Sequence, residues 1–232
     1  MMRSAFWRPF SDAYFFTCAG RRRRYNGRMD EALIIRMATP ADAPTLIDIY
    51  RPYVLETAVT FELEPPTEAD FAGRIQRTLE RYPYLIAERG DLVVGYAYAS
   101  AFRPRSAYQH AAETSIYVRR DSKGGGVGRR LYESLATLLR LQNIYNMEAC
   151  IAHSDPPDEY VPAASRLFHT KLGFSVAGTF HSCAYKFGRW YDMIWMERIL
   201  ADHPAKPEPF APFPSVDKAL MEEAFAQINS KA

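Results

Sequence analysis

The chain has 232 residues, 48% apolar, 24% charged and 14% aromatic, an ordinary globular composition long enough for one self-supporting domain. No apolar run approaches the ~20 residues that span a bilayer, and three scattered cysteines (Cys18, Cys150, Cys183) make no disulfide framework, so no membrane partner and a reducing, cytoplasmic setting are expected. The net charge of +2 hides a split: residues 1–28 carry seven arginines and one acid, while the remainder is mildly acidic at −4, so nucleic acid is not an expected partner.

Residues 1–28 are aromatic and basic, without period. Their arginine run follows rather than precedes any apolar stretch, so they do not read as a secretory signal. They are expected to be a disordered extension outside the domain, with Met29 as an alternative start. Residues 33–37 then read as a strand. Thr39-Pro40-Ala41-Asp42 supplies a capping hydroxyl, a first-turn proline and an acid, which is a helix start. Thr67 and Asp70 open a second helix carrying Phe71, Ile75 and Leu79. Residues 84–87 and 92–99 form a hairpin about Arg89-Gly90-Asp91. A loop over 102–108 leads to a strand at 114–118.

Next comes a glycine loop, Lys123-Gly124-Gly125-Gly126-Val127-Gly128, which runs directly into a helix with Val127, Leu131, Leu135, Leu138 and Leu139 at helical spacing. A strand (147–152), a short helix (163–171) closed by Gly173, and two strands (176–185 and 191–199) follow. Beyond Leu200 the chain is proline-rich and ends in a helix over 216–228.

Strand, glycine loop and helix together make a phosphate-binding device. Backbone N–H groups at a helix start lack internal partners, and the helix dipole favours an anion there. The loop is not a Walker A motif, because no Lys-Ser/Thr pair follows the glycines. It is not the dinucleotide fingerprint either, because it follows antiparallel-looking strands.

This arrangement resembles the GNAT superfamily of N-acetyltransferases, whose loop reads Gln/Arg-x-x-Gly-x-Gly/Ala; here Lys123 takes the first position. Further segments resemble one branch, the phosphinothricin acetyltransferase-like group, which includes methionine sulfone and sulfoximine acetyltransferases. They are Thr60-Phe61-Glu62, Arg81-Tyr82-Pro83-Tyr84-Leu85, the 102–108 loop, Glu113-Thr114-Ser115-Ile116-Tyr117-Val118, Leu172-Gly173-Phe174 and Tyr185-Lys186-Phe187-Gly188-Arg189-Trp190-Tyr191-Asp192. The resemblance covers roughly residues 33–200. It implies an α/β (α+β) fold with a mixed, mostly antiparallel sheet flanked by helices and a V-shaped strand splay at the cofactor. The domain is expected over 29–200, with 201–232 a tail.

The resemblance implies direct transfer of an acetyl group from acetyl-CoA to a primary amine, with no metal. Glu113 would be the general base, since a half-buried carboxylate has a raised pKa suited to taking an ammonium proton. Ile116, Tyr117 and Val118 would offer backbone to the pantetheine arm, Lys123 to Gly128 would hold the pyrophosphate, and Ser165 would touch the cofactor. His169 would act as acid or as donor to sulfur, against the alternative of a helix-surface histidine. The family's asparagine is replaced by Pro162, which removes one polar contact. Arg103 and Arg105 would bind the acceptor's carboxylate, phosphinate or sulfone oxygens, with Phe61 and Tyr108 as walls. Lys186 and Arg189 read as solvated turn residues. Trp190 and Tyr191 read as contacts in a homodimer. Three readings stay open: acetylation of a small amino acid or its analogue, acetylation of another amine (peptide N-terminus, polyamine, antibiotic), and a non-catalytic acyl-CoA-binding module.

Overall fold

The computed structural model describes residues 31–161 and 163–230. The 1–28 extension and Pro162 therefore lie outside the described residues. The described chain runs β1 (Leu33–Met37), α1 (Ala43–Glu56), α2 (Glu68–Leu79), β2 (Tyr84–Arg89), β3 (Leu92–Ala101), β4 (Ala111–Val118), α3 (Val127–Leu141), β5 (Asn146–His153), α4 (Ala164–Lys171), β6 (Ser175–Lys186), β7 (Arg189–Ile199) and α5 (Lys218–Ser230). Both expected caps form. The Asp42 carboxylate accepts the Thr39 N–H at 2.7 Å, and Thr67 Oγ1 accepts the Asp70 N–H at 3.1 Å.

The strands make one sheet in the order β1-β2-β3-β4-β5-β7-β6, antiparallel throughout except between β4 and β5. Helices α1 and α2 cover one face, where Leu46, Val54, Phe71 and Ile75 pack on Tyr84, Ile86 and Tyr96. Helix α3 covers the other, where Leu131, Leu135 and Leu138 pack on Leu85, Ala87 and Ala97. Burial on both faces explains why β2 and β3 read as near-continuous apolar runs rather than alternating ones. Phe187 and Gly188 both have positive φ, 51° and 76°, which suits the two-residue turn between β6 and β7.

The core continues past Leu200, where the sequence sets the domain's end. Phe213, Ala224 and Ile228 join the same cluster as α3. The buried Gln142 amide donates to Arg81 O at 2.7 Å and to Ala211 O at 2.9 Å. Arg130 donates to the Ile228 carbonyl. Asn229 accepts the Ile35 N–H at 2.9 Å and donates to Ile35 O at 3.0 Å. A proline-rich composition masked a segment in which Phe213, Val216, Ala224 and Ile228 are buried.

Candidate active site

Strands β4 and β5 pair only at Ala111↔Asn146, Ala112↔Met147 and Glu113↔Glu148, and then diverge. The divergence is the expected splay, and it leaves the β4 backbone from Thr114 onward without a strand partner on that side. A cavity of about 60 Å³ sits in the gap, lined by Thr114 to Tyr117, by Ala149 to Ala152, and by Tyr132, Ser165 and His169. It adjoins a cleft of about 450 Å³ that shares Ile116, Ser165 and His169 with it.

Ile116, Val118, Lys123, Gly124, Gly126, Val127, Gly128 and Ser165 all line that larger cleft. Gly124 and Gly126 have φ of +84° and +78° with open space where a Cβ would stand, so the loop needs glycine for its backbone path. Gly125 is turned away: its carbonyl accepts from Arg89 at 2.9 Å. That bond aims the carbonyl back into the protein, away from an incoming anion. Tyr117 also departs from the expected arrangement. Its ring packs on the α1 face, 4.8 Å from Tyr50 and 5.3 Å from Tyr53, so it faces the opposite side of β4 from Ile116. The Lys123 ammonium lies 5.3 Å from the Tyr53 ring, and partial burial lowers its pKa.

Glu113 stands at the last paired position before the strands part. Burial raises its pKa, and Arg103 pulls the other way. The Arg103 guanidinium is held over the rings of Phe102 (4.3 Å) and Trp195 (4.9 Å). Tyr108 is exposed and packs edge-on against Phe102 at 5.9 Å. Arg105 is exposed at the head of the short Ser106–Tyr108 turn, and nothing brings it to Glu113. Phe61 packs in a separate small cluster with Ala58, Ala152, Val161 and Tyr191. Among the described residues, no group of three or more His, Cys, Asp or Glu side chains is arranged to hold a metal ion, and no helix is long and apolar enough to cross a membrane.

The family model for the acetyltransferase (GNAT) domain matches residues 35–195. The chain belongs to the GNAT acetyltransferase family. It is 33% identical to a phosphinothricin N-acetyltransferase of Streptomyces viridochromogenes, over 77% of this chain and 93% of that protein. It is also 33% identical to an L-methionine sulfoximine/L-methionine sulfone acetyltransferase of Pseudomonas aeruginosa, over 70% of this chain and 92% of the relative. Among solved structures, a GNAT superfamily phosphinothricin acetyltransferase from Sinorhizobium meliloti in complex with acetyl-CoA superposes with a TM-score of 0.68. It shares 32% identity over 78% of this chain and 98% of that one.

Within this GNAT acetyltransferase, His169 is not a helix-surface residue. It is 4% exposed, and burial lowers its pKa. Its Nδ1 lies 2.8 Å from the Ser165 carbonyl, which only accepts, so Nδ1 carries the proton. In the neutral ring Nε2 is then an acceptor, and Tyr132 OH, 3.1 Å away, donates to it. The geometry therefore does not present an Nε2–H to a leaving group.

Several residues of the site escape sequence reading. Glu148, paired with Glu113, is 7% exposed, and burial with Glu197 beside it pushes its pKa up to about 7. A lone acid in an apolar strand was its only signal. Tyr53 OH donates to Val118 O at 2.6 Å and fixes the strand end that lines the cleft. Lys186 is 4% exposed, not solvated, and donates to Thr60 O (2.8 Å) and Glu62 O (2.7 Å), tying down the segment that carries Phe61. Tyr191 is 1% exposed with its hydroxyl on Asp158, so of the Trp190–Tyr191 pair Trp190, 63% exposed, alone faces outward.

Proposed function

We propose that the chain transfers the acetyl group of acetyl-CoA directly to the primary amine of a small amino acid or amino-acid analogue of the phosphinothricin or methionine sulfone/sulfoximine type. The observation that carries this reading is Glu113: a half-buried carboxylate with a raised pKa, at the vertex of the splay, facing one fixed guanidinium. The named relatives act on acceptors of that type.

The residues present fit acetyl-CoA. The 450 Å³ cleft has an unpaired strand edge for an amide-bearing arm and a glycine loop at a helix start for a pyrophosphate. When bound, acetyl-CoA supplies a thioester carbonyl as the electrophile. Glu113 takes a proton from the acceptor's ammonium, directly or through one water, and so frees the nitrogen lone pair for attack. Backbone N–H groups on the diverging part of β4 hydrogen-bond the carbonyl oxygen as charge grows on it. The C–S bond breaks as the amide forms, and the departing sulfur takes up a proton. The Tyr132 hydroxyl proton is committed to His169 Nε2, so the sulfur takes the second proton shed by the acceptor's nitrogen, through water; Tyr132 and His169 are positioning residues in this scheme. Arg103 takes the acceptor's carboxylate, with Phe61 and Tyr108 as outer walls and Arg105 at the entrance.

The exposed apolar side chains Phe180, Tyr185 and Trp190 on β6 and β7 support a homodimer through that sheet edge. Cys150 and Cys183 are free thiols, in keeping with a cytoplasmic setting.

The deciding test is CoA release from acetyl-CoA with a panel of amines: phosphinothricin, methionine sulfone, methionine sulfoximine, ordinary amino acids, a polyamine and a peptide N-terminus. Turnover only with the last two would replace the amino-acid acceptor. CoA binding without release by any amine would make the chain a binding module.

A further inference from the structure

The glycine loop at the cofactor cleft can turn its peptides over at little steric cost. Gly124 and Gly126 have positive φ, and Gly125 between them carries no side chain either. Either face of the Gly125–Gly126 peptide could therefore be presented to the cleft. The two faces suit opposite charges. A trans peptide holds its C=O and the following N–H on opposite sides. With the carbonyl outward the loop repels a phosphate; with the Gly126 N–H outward it receives one.

Arg89 decides between them. From the end of β2 its Nη2 donates to the Gly125 carbonyl at 2.9 Å. A charged donor makes this bond stronger than an ordinary amide one. The carbonyl is tied to the sheet, and the Gly126 N–H of the same peptide faces the other way, toward the cleft that Gly126 lines. Arg89 does not itself line that cleft. It acts on the loop and not on the ligand.

A second tie comes from the C-terminal helix. The Arg130 N–H donates to Gly126 O at 3.0 Å, which fixes the far side of the same turn to α3. The Arg130 guanidinium donates to the Ile228 carbonyl near the end of α5. The next residue, Asn229, bonds both backbone groups of Ile35 on β1. Strand β1 pairs with β2 so that Leu33 stands opposite Arg89. The bonds thus form a closed frame: Gly125 to Arg89, β2 to β1, β1 to Asn229, Ile228 to Arg130, and Arg130 back to Gly126. Arg129 lines the cleft, whereas Arg130 is turned to α5. Helix α5 lies beyond the residues 35–195 that match the family domain.

We infer that Arg89 is a positioning residue for the cofactor's diphosphate, and that α5 braces the same loop through Arg130 and Asn229. The C-terminal segment then sets cofactor affinity from outside the cleft. This rests on the reading of the cleft as the acetyl-CoA site.

The test compares two ligands on the full chain. Calorimetry measures Kd for CoA directly and for pantetheine by competition; pantetheine keeps the arm and lacks the diphosphate. Arg89→Met removes the donor and keeps an unbranched side chain. It is expected to weaken CoA about tenfold and pantetheine less than twofold. Arg89→Lys restores a cationic donor and should recover most of the loss. Asn229→Ala leaves every charge in place. It should weaken CoA about threefold and again spare pantetheine, which separates loop geometry from simple attraction between charges. In turnover, KM for acetyl-CoA should rise while kcat holds.

Unchanged CoA affinity in Arg89→Met overturns the inference, and unchanged affinity in Asn229→Ala overturns the part assigned to α5. An equal loss for CoA and pantetheine overturns it as well, because the whole cleft is then disturbed and not the diphosphate site. Where Arg89→Met does not fold, Gly125→Ala decides. Its Cβ would stand 3.2 Å from Arg89 Nη2 and crowd the bond, so CoA should weaken about threefold while pantetheine holds; unchanged CoA affinity there is equally fatal. A wild type that binds no CoA overturns the reading of the cleft itself. A wild type that binds CoA, with variants that bind it equally well, overturns this inference alone.

Discussion

On one side of the splay, the cleft proposed for the cofactor is lined mainly by one stretch, residues 116–128, with α4 facing it. On the other side, the groups proposed for the acceptor are side chains drawn from β3, β4, β5, β7 and the 102–108 loop: Ser100, Glu113, Glu148, Trp195 and Arg103. The first side suits an invariant ligand, because backbone N–H groups and a left-handed glycine path do not depend on the neighbouring side chains. The second suits a variable acceptor, because each side chain can be exchanged without altering the sheet.

If this contrast is right, substitutions on the two sides should separate cleanly in kinetics. Glu113→Gln should lower kcat by about 10²–10⁴-fold, the usual worth of a general base, and leave CoA affinity unchanged in calorimetry. A parallel loss of CoA affinity would merge the two sides. Gly126→Asp should do the converse. It puts a side chain at φ +78° and a negative charge beside the phosphate position, so CoA should bind at least about tenfold more weakly while the acceptor's Kd holds. Unchanged CoA affinity would remove the loop from the cofactor site.

Smaller effects sharpen the acceptor side. Glu148 has a folded-state pKa near 7, above its unfolded value, so its ionisation opposes folding. The wild type should lose stability as pH rises from about 4.5 to 7. Glu148→Gln should remove that loss, raising the melting temperature by about 2–4 °C at pH 8 and hardly at all at pH 4. Equal shifts at both pH values would show that Glu148 is already ionised or unimportant. The smallest shift is expected in the pH profile of Arg103→Gln, on top of the weaker acceptor binding that follows from losing the carboxylate's partner. The guanidinium lowers the Glu113 pKa against burial, so its removal should move the acid limb of kcat/KM to higher pH by a fraction of a unit. A limb that moves down, or not at all, would mean that Arg103 does not face the base.

The same contrast explains what was legible in the sequence. The glycine loop and its helix are contiguous, so their order along the chain marks a candidate phosphate site, whereas Glu113 stands out only through the family resemblance and reads as the residue just before a strand that in the structure begins at Ala111. Strand and helix positions followed from local apolar periods and caps such as Thr67 with Asp70. Long-range partnerships were not legible. Lys186 reaches across 126 residues to Thr60 O, and Tyr132 across 37 to His169. A lysine in a hairpin turn carries no local mark of burial, and the tautomer of His169 depends on which carbonyl its own helix turn presents. Arg105 shares a loop with Arg103, but of the two arginines only Arg103 meets aromatic faces that hold it in place.

Asn229 has a consequence for how the molecule meets others of its kind. Strand β1 is a terminal strand of the sheet, and its outward backbone groups are a template on which a foreign strand could add. The Asn229 amide occupies both outward groups of Ile35, the middle residue of a five-residue strand, and the Arg36 guanidinium takes the Met37 carbonyl. That end of the sheet is closed to growth. The opposite end, the twelve-residue β6, carries no such plug among the described residues. Growth of the sheet is thereby obstructed at one end and left open at the other.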